Sequence, residues 1–484
     1  MFTLVSCNEK KDGIVFDSKK VINDNFYGLG VEVGVYEDTG KLQRGAEEKI
    51  YNSLDRLNPK LVRCMTNFDW LVKNFSDNNT PDNLEDDTWE YDFTNKYMLN
   101  AYQVLDYCES RNITVAFGIW NVIGNPNEEE DIYHMIKNVT ADPRWAVMCG
   151  DLMEYLIVKK GYTCIKYFVN TNEPDYSGAK GASKNAYNTY AIWEQGVKNV
   201  RAQFNKIGLT NLDIIGGDAT TKAGIEEYLT GVATNLKNEV KNYGVHLYIS
   251  NYDIDNALLK DRVAETYQMV KKLDGNDSKK VIIWESGLLD GKNVQTDCNA
   301  YIANFSYGIR MADYTLQCMM SNVSGIVYWD LDDAMHFMYN EGGMTAKEWG
   351  MFSTLNEASA IKQEYRPWYH SSSLLTNLFD RGCKVISANT EIENVRMIGS
   401  IDSDGQNGGY VVVNRGKTDL TKDFRLDASI NNEKLFIYIF NEQQIKLDAN
   451  GFVTYNYCVD GKISDYTNIT VPANSVVIVS TRRL

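Results

Sequence analysis

Eight short runs of apolar and β-branched residues recur along the first three quarters of the chain, and most of them end in polar or aromatic side chains. Stretches with the periodicity of amphipathic helices lie between them. The predicted strands are Phe26–Val33, Leu61–Met65, Ile113–Trp120, Ile165–Val169, Leu212–Gly216, Tyr243–Ile249, Val281–Trp284 and Gly325–Trp329. The predicted helices include Asn100–Ser110, Pro143–Lys159, Asn185–Phe204, Leu258–Lys272 and Asn299–Met320. Strands that alternate with helices indicate a parallel sheet covered on both faces, and the simplest closed form of it is a (β/α)8 barrel.

The pattern changes after Pro367-Trp368-Tyr369, where a last helix, around His370–Phe379, leads into short alternating strands separated by Asn and Gly turns. These strands are Cys383–Ala388, Val395–Ile401, Gly409–Asn414, Phe424–Asp427, Lys434–Phe440 and Ile469–Ser480. They predict an antiparallel β-sandwich. Gly13–Ile22 alternates too and is expected to pair with that sandwich.

The predicted organisation is a tether at residues 1–12, a strand of the sandwich within 13–24, a barrel at 25–375 and the sandwich at 376–484. The barrel units are longer than the minimum, and the excess is expected in loops after the second, third and eighth strands. Because no low-complexity linker separates the two domains, they are expected to pack closely.

Composition narrows the possible partners. The 484 residues carry a net charge of −16, which argues against nucleic acid as a partner because its binders need a basic surface. No run approaches the 18 consecutive apolar residues of a membrane-spanning helix. The 31 Tyr and 9 Trp suit a protein that stacks flat ligands such as sugars, although they also suit a large core.

Metal ligands and disulfides are not suggested by the spacing of His and Cys. The four His residues are scattered, and the nine Cys include no Cys-x-x-Cys pair. We therefore expect no cofactor, no structural metal and no dense disulfide framework.

The N-terminus contains Leu4-Val5-Ser6-Cys7, which resembles the lipobox of bacterial lipoproteins, and a polar stretch follows it. A lipid on Cys7 would anchor the protein to a membrane and place it in the periplasm or on the cell surface. A working signal needs an apolar stretch of about 7–15 residues before the cleavage site, but only six residues precede Cys7. Either further residues precede this chain or the match is due to chance.

Residues able to do chemistry follow the predicted strands. Active sites of (β/α)8 enzymes lie at the C-terminal ends of the strands. The residues found there are Glu32, Arg63, Trp120, Asn121, Asn172, Glu173, His246, Tyr248, Glu285 and Trp329. Glu173 follows the fourth strand and Glu285 ends the seventh, so the two face each other across a closed barrel. Two facing carboxyl groups suit glycoside cleavage, in which one protonates the leaving oxygen and the other captures the sugar carbon.

Together these motifs resemble the clan A glycoside hydrolases, which are retaining (β/α)8 enzymes. The resemblance covers the barrel by order and spacing, and it rests on Asn172-Glu173-Pro174 after strand four, His246-x-Tyr248 on strand six and Glu285 on strand seven. It implies that Glu173 is the acid/base, that Glu285 is the nucleophile and that Tyr248 hydrogen-bonds Glu285.

The same resemblance implies that Asn172 binds the sugar 2-hydroxyl, that Trp329 forms the floor of the sugar site and that Arg63 lies near the nucleophile. Phe26–Glu32 resembles the first strand of members that carry a C-terminal β-sandwich. On physical grounds we expect Glu285 to be ionised, with Arg63 and Tyr248 holding its pKa low.

Each of these residues also has an ordinary structural explanation. Glu32 and Arg63 could be members of an ion pair, and His246 or Trp329 could be part of the core. Trp120 and Asn121 suit a sugar subsite and a structural role equally.

Two other functions compete: a non-catalytic carbohydrate-binding protein, which the presence of both Glu residues disfavours, and a metal-dependent hydrolase, for which clustered His and Asp are lacking. The sugar, its linkage, endo or exo action and the oligomeric state stay open.

Overall fold

The computed structural model describes residues 13–34, 47–80, 82–120, 140–175, 189–275, 279–293, 298–333, 337–340, 343–346, 348–352 and 364–484. The predictions made for the tether at 1–12, for Cys7 and for Asn121 lie outside these residues. No helix of the described part is long and apolar enough to cross a membrane.

The strands of the described chain are numbered in order. They are β1 (Ile14–Asn23), β2 (Gly28–Glu32), β3 (Leu61–Thr66), β4 (Val72–Ser76), β5 (Thr88–Tyr91), β6 (Thr114–Ile119), β7 (Ile165–Val169), β8 (Asp213–Ile214), β9 (Gly217–Ala219), β10 (Asn242–Ile249), β11 (Lys280–Leu288), β12 (Lys292–Asn293), β13 (Cys298–Asn299), β14 (Gly325–Tyr328), β15 (Phe337–Asn340), β16 (Gly343–Ala346), β17 (Lys384–Ala388), β18 (Val395–Ile401), β19 (Gly408–Asn414), β20 (Leu420–Asp427), β21 (Lys434–Phe440), β22 (Tyr457–Asp460), β23 (Thr467–Val471) and β24 (Ser475–Ser480).

The helices are numbered in the same way. They are α1 (Glu47–Leu57), α2 (Lys96–Ser110), α3 (Pro143–Met153), α4 (Tyr190–Lys206), α5 (Lys222–Asn235), α6 (Asn251–Asp255), α7 (Leu258–Asp274), α8 (Phe305–Met320) and α9 (Pro367–Leu378). A 3-10 turn covers Phe68–Trp70, and a π-helical segment, Glu154–Lys159, continues α3.

The first sheet is a closed parallel barrel. Its order is β8-β7-β6-β3-β2-β14-β11-β10-β9, and every neighbouring pair is parallel. The terminal strands β8 and β9 are two pieces of one run along the chain, so the fifth barrel strand joins the two edges. The predicted (β/α)8 barrel is confirmed, with each of its eight strands at the predicted place.

Alternation along the strands explains why the barrel closes around a packed interior. Leu61, Met65, Ile282 and Trp284 belong to the inner cluster. Their neighbours, such as Val62 and Ile283, belong to the larger cluster that includes residues of the surrounding helices. Side chains of successive strand residues point to opposite faces, so one layer fills the barrel and the other holds the helices.

The second sheet forms the C-terminal β domain, with the order β22-β21-β24-β19-β18-β17-β1-β20-β23. Its strands fold over a shared core, in which Tyr410 of β19 stacks on Phe16 of β1 and Phe424 of β20. The domain is mainly antiparallel, as predicted. It departs from the prediction where β1 pairs in parallel with β20, and where the predicted strand Ile469–Ser480 divides into β23 and β24 around a turn that contains Pro472.

The barrel and the C-terminal domain share one continuous apolar core. Phe305 of α8 stacks on Phe440 of β21, and Trp368 of α9 lies in the same cluster as residues of β18, β19 and β24. Helix α9 runs across residue 375, where we predicted that the barrel domain ends. Helix α8 begins at Phe305 rather than at the predicted Asn299, because Cys298–Asn299 pairs as β13 with β12.

Candidate active site

Arg63 is the centre of a buried polar network at the C-terminal end of the barrel. Its Nη1 donates to Glu32 Oε2 and to Glu285 Oε1, both at 2.6 Å. Its Nη2 donates to Asn172 Oδ1 at 2.6 Å and to Asp218 Oδ2 at 3.1 Å. The guanidinium is fully buried. One planar group thereby ties together the ends of the first, fourth, fifth and seventh barrel strands, and only arginine offers donors in so fixed a fork.

Glu285 faces into the barrel because its strand is irregular just before it. Ile282 and Trp284 point inward, so strict alternation would turn the next residue outward. The register between β10 and β11 shifts between Val245 and His246, which places His246 opposite Glu285. Bulges of this kind re-aim side chains next to active sites. The Tyr248 hydroxyl then donates to Glu285 Oε2 at 2.7 Å.

Glu173 lies just beyond β7 in a left-handed backbone conformation, with φ of 41°. Most other non-glycine residues with positive φ here are Asn, which tolerates that conformation better than Glu. Asp175 anchors this turn, because it accepts hydrogen bonds from the backbone of Thr220 and Thr221 beyond the fifth strand. Strained residues that the surrounding structure holds in place concentrate at functional sites.

His246 lies between three carboxylates. Its Nε2 is 2.9 Å from Asp218 Oδ1, and its Nδ1 is 3.0 Å from Glu173 Oε1 and 3.4 Å from Glu285 Oε2. Asp218 was missed by the sequence analysis, which ended the fifth strand at Gly216. The usable signal was the acidic residue directly after Gly216-Gly217, at the same end of the barrel as the other strand-end residues.

Tryptophans border the network. Trp120 and Trp329 meet edge to face, with ring centroids 5.7 Å apart, and the Arg63 guanidinium lies 5.3 Å from the Trp120 ring. Trp349 packs edge to face against Tyr248, at 5.9 Å. A cis peptide bond joins Trp329 to Asp330. These rings give the polar site an apolar wall of the kind on which sugar faces stack.

Burial decides the direction of the pKa shift of Glu32 and Glu285. It raises the pKa of Glu32 to about 8, although Arg63 opposes the rise. It also raises the pKa of Glu285, against the opposing charges of His246 and Arg63. The expectation that Arg63 and Tyr248 hold the pKa of Glu285 low is therefore wrong in direction. Desolvation of a fully buried carboxylate outweighs its favourable contacts here.

Asp218 and His246 behave as a charged pair. Burial acts to raise the pKa of Asp218, but His246 and Arg63 outweigh it and hold that pKa below the ordinary value. Burial acts to lower the pKa of His246, but the charges of Asp218 and Glu285 raise it well above the ordinary value. Burial, followed by the charges of Glu285 and Glu173, raises the pKa of Tyr248, which keeps its hydroxyl a donor.

Glu173, His246 and Glu285 also form a group that could hold a metal ion, since one atom from each lies within 4.8 Å of the others. The donors around Glu285 argue against that use. Arg63 and Tyr248 already donate to both of its oxygens, and an ion there would add a second positive charge beside the guanidinium. The arrangement suits two carboxyl groups that face one substrate bond better than a cation site.

Comparison with known proteins supports the fold. No family sequence model matches the chain, and none of the curated proteins matches it in sequence. A GH30 endoxylanase from Clostridium papyrosolvens C71 superposes with a TM-score of 0.63 at 13% identity, over 97% of this chain and 100% of its own. The fold is that of the clan A glycoside hydrolases.

Two further structures have the same barrel with a β domain. The α-L-arabinofuranosidase from Thermotoga maritima has a TM-score of 0.60 at 13% identity, over 98% of this chain and 100% of its own. A conserved exported protein from Bacteroides fragilis has a TM-score of 0.65 at 12% identity, over 97% and 100% of the two chains. At these identities the likeness extends to the fold and leaves the chemistry to the residues of the site.

Proposed function

We propose that the protein is a retaining glycoside hydrolase that cleaves β-linked glycans by double displacement, with Glu285 as nucleophile and Glu173 as acid/base. The observation that carries this proposal is the pair of facing carboxyl groups, which have oxygens within 4.8 Å of each other. Retaining enzymes hold their two carboxyl groups about 5–5.5 Å apart, whereas inverting enzymes need about 6.5–9.5 Å to admit a water molecule.

In the first step, a carboxylate oxygen of Glu285 bonds to the anomeric carbon while the bond from that carbon to the leaving oxygen breaks. Glu173 gives its proton to that oxygen, so the sugar stays on Glu285 as an ester. In the second step, Glu173, now a carboxylate, takes a proton from water, and the water oxygen displaces Glu285. The enzyme returns to its starting state.

The remaining residues would position the sugar and the nucleophile. Arg63 and Tyr248 each hold one oxygen of Glu285, which fixes the direction of attack. Asn172 projects from the same turn as Glu173 toward Arg63, where its amide can meet the sugar 2-hydroxyl. Trp329 and Trp120 supply the apolar surface against which the sugar ring would lie. Glu32 holds the far side of Arg63.

The test is hydrolysis of a panel of aryl glycosides and polysaccharides by wild type, Glu173→Ala and Glu285→Ala. The panel includes α-L-arabinofuranosides, because one structural neighbour is an arabinofuranosidase. Glu285→Ala should lose at least about 10⁴-fold in kcat, since the nucleophile is gone. Wild-type turnover in Glu285→Ala would contradict the mechanism, and sugar binding without any hydrolysis would support the non-catalytic alternative.

Azide tests the stereochemistry. Glu173→Ala forms its glycosyl-enzyme from an activated aryl β-glycoside without acid help, and azide then attacks that intermediate in place of activated water. Added azide should restore turnover and give a β-glycosyl azide. An α-glycosyl azide would contradict retention.

The export signal belongs to the same proposal. We infer that Cys7 carries a lipid that anchors the protein at the surface of a bacterium, on the strength of Leu4-Val5-Ser6-Cys7 and of the exported neighbour from Bacteroides fragilis. Labelling of the full-length product with a tagged fatty acid should mark the wild type and leave Cys7→Ser unmarked. Equal labelling of both would contradict it.

A further inference from the structure

His246 is held by carboxylates on both of its ring nitrogens. The ring is fully buried, and it lies between Asp218 on β9, Glu173 beyond β7 and Glu285 on β11. Each ring nitrogen therefore faces an atom that accepts hydrogen bonds when ionised. A neutral imidazole has only one N–H, so it would leave one of these nitrogens with its lone pair directed at a carboxylate.

Asp218 is placed by the fold to face this ring. The register between β9 and β10 shifts just before Val245, where Gly217 and Asp218 both have positive φ, of 115° and 59°. The strand on the other side of β10 is irregular at the same level, where Glu285 is re-aimed. Two neighbouring strands thus depart from regular pairing so that a carboxylate from each side faces His246.

Asp218 also has a fixed charge state. Its side chain is about 3% exposed, one oxygen faces His246, and the other accepts a hydrogen bond from Arg63. Unlike Glu32, Asp218 contacts both His246 and Arg63, and together they outweigh its burial, hold its pKa below the ordinary value and keep it ionised. Its oxygen at 2.9 Å from Nε2 therefore requires a proton on that nitrogen. Whether Nδ1 also carries a proton then decides whether Glu173 faces a hydrogen-bond donor or a nitrogen lone pair.

We propose that Asp218 is a positioning residue that keeps His246 as an imidazolium, whose Nδ1–H is donated to Glu173 Oε1 and leaves Oε2 as the oxygen that carries the acid proton. The proposal rests on the proposed role of Glu173 as the acid/base. If His246 carried its proton on Nε2 alone, the Nδ1 lone pair would draw the Glu173 proton toward the histidine and away from the leaving oxygen.

The charges around the ring favour the imidazolium. Asp218, Glu173 and Glu285 contact it directly, Arg63 is one hydrogen bond further away, and Glu32 lies beyond Arg63. Burial of the ring lowers its pKa, but the charges of Asp218 and Glu285 raise it well above the ordinary value. During the reaction the Glu173 proton leaves from Oε2 and returns to it from water, while both His246 protons stay in place.

The protonation of His246 can be measured without any substrate. With only four His residues in the chain, ¹⁵N-labelled histidine gives a simple spectrum, and loss of one signal pair in His246→Gln assigns the residue. We expect both nitrogens of wild-type His246 to be protonated from pH 5 to 8. In Asp218→Asn the second proton should leave at a pH lower by at least about 1 unit.

His370 provides an internal control, because burial lowers its pKa to about 4 and its ring, on α9, packs against Tyr365 and Tyr369. Its titration should be the same in wild type and Asp218→Asn. A wild-type His246 with one proton at pH 6, or an Asp218→Asn variant in which it titrates as in wild type, would overturn the proposal. Because this measurement needs no turnover, it decides the state of His246 even if no glycoside is cleaved.

Kinetics then tests the link to Glu173. Asp218→Asn removes the charge that holds the second proton on His246, and its single amide oxygen can accept from Arg63 or from His246 but not from both. We expect kcat/KM to fall about 10- to 100-fold for glycosides with poor leaving groups and less than about 3-fold for 2,4-dinitrophenyl glycosides, which need no acid help. In a Glu173→Gln background the same change should have no further effect on poor substrates. Equal losses on both substrate types would show a general structural defect and would contradict the proposed positioning role of Asp218.

Discussion

Two charge networks in this protein, one buried in the barrel and one partly exposed, have opposite balances of charge. The network around Arg63 has four carboxyl groups, from Glu32, Glu173, Asp218 and Glu285, and two cationic side chains. The network at the junction of the two domains has three guanidinium groups and two carboxylates. Its members are Arg310, Arg396, Arg415, Asp255 and Asp313.

The junction network connects barrel helices to the C-terminal β domain. Arg415, beyond β19, donates to Asp255 of α6 at 2.6 Å, and Arg396 of β18 lies 3.5 Å from Asp313 of α8. Arg310 and Arg415 hold the pKa of Asp255 below its ordinary value, despite burial that acts to raise it. These contacts join barrel helices to the C-terminal sheet, and they require only that opposite charges meet.

In the junction, burial raises the pKa of Asp313 to about 6 even beside its arginines. The network around Arg63 differs in having more carboxyl groups than cationic groups. It crowds carboxylates around one guanidinium until the pKa of Glu32 reaches about 8 and that of Glu285 rises as well. Such an arrangement costs stability, because desolvation of each acid is incompletely offset. Perturbed acids gathered at strand ends are typical of a catalytic site, where electrostatics serve the reaction. Equivalent substitutions in the two networks should therefore have different effects.

Arg63→Lys should have the largest effect. A lysine ammonium cannot reach four acceptors on four strand ends, so the oxygens of Glu285, Asn172, Glu32 and Asp218 lose their common donor. We expect kcat/KM to fall by about 10²–10³-fold or more, with a loss of stability of about 3 kcal/mol. Steady-state kinetics and urea unfolding measure both. Wild-type kcat/KM in a folded Arg63→Lys protein would contradict the central place of this residue.

Arg415→Lys is the matched change at the junction. It should weaken the contacts with Asp255 and Asp313, and lower the unfolding free energy by about 1–2 kcal/mol. The kinetic constants should stay within about 2-fold of wild type, because the ion pairs of the junction residues within the described chain do not involve the network around Arg63. Thermal unfolding and the same glycoside assay check this. A loss of kcat without a loss of stability would mean that the two networks are coupled.

The sequence allowed the barrel and most of this site to be predicted, because both depend on local patterns. An apolar run marked each barrel strand. The residues that follow these strands meet at one end of a parallel barrel, and this does not depend on the conformation of the loops. Glu285 was found in this way although its inward orientation depends on an irregularity that no periodicity reveals.

The features that were missed depend on long-range pairing. Asp218 follows a break within the fifth strand, and nothing in the apolar run Leu212–Gly216 indicates that pairing resumes beyond it. The parallel contact of β1 with β20 joins segments about four hundred residues apart, which no local pattern encodes. The pKa of Glu285 was misjudged because complete burial, which outweighs its partners, is a property of the folded barrel alone.

Glu32→Gln should have the smallest effect at pH 5, where both side chains are uncharged, and its effect at higher pH measures what the crowding of acids costs in stability. The folded protein binds a proton on Glu32 up to a pH of about 8, whereas the unfolded chain releases it near pH 4.3. Folded protein therefore holds more protons between these values, so the unfolding free energy falls as pH rises across that window. Gln keeps an oxygen for Arg63 and has no proton to lose.

We expect wild type to lose on the order of 4 kcal/mol more than Glu32→Gln between pH 5 and pH 8.5, measured by urea unfolding at each pH. Glu391→Gln is the control, since it makes the same substitution in a side chain that is 83% exposed and should keep the wild-type slope. Parallel pH profiles for wild type and Glu32→Gln would mean that Glu32 is ionised throughout. The network around Arg63 would then carry one more negative charge, and its net charge would differ even more from that of the junction network.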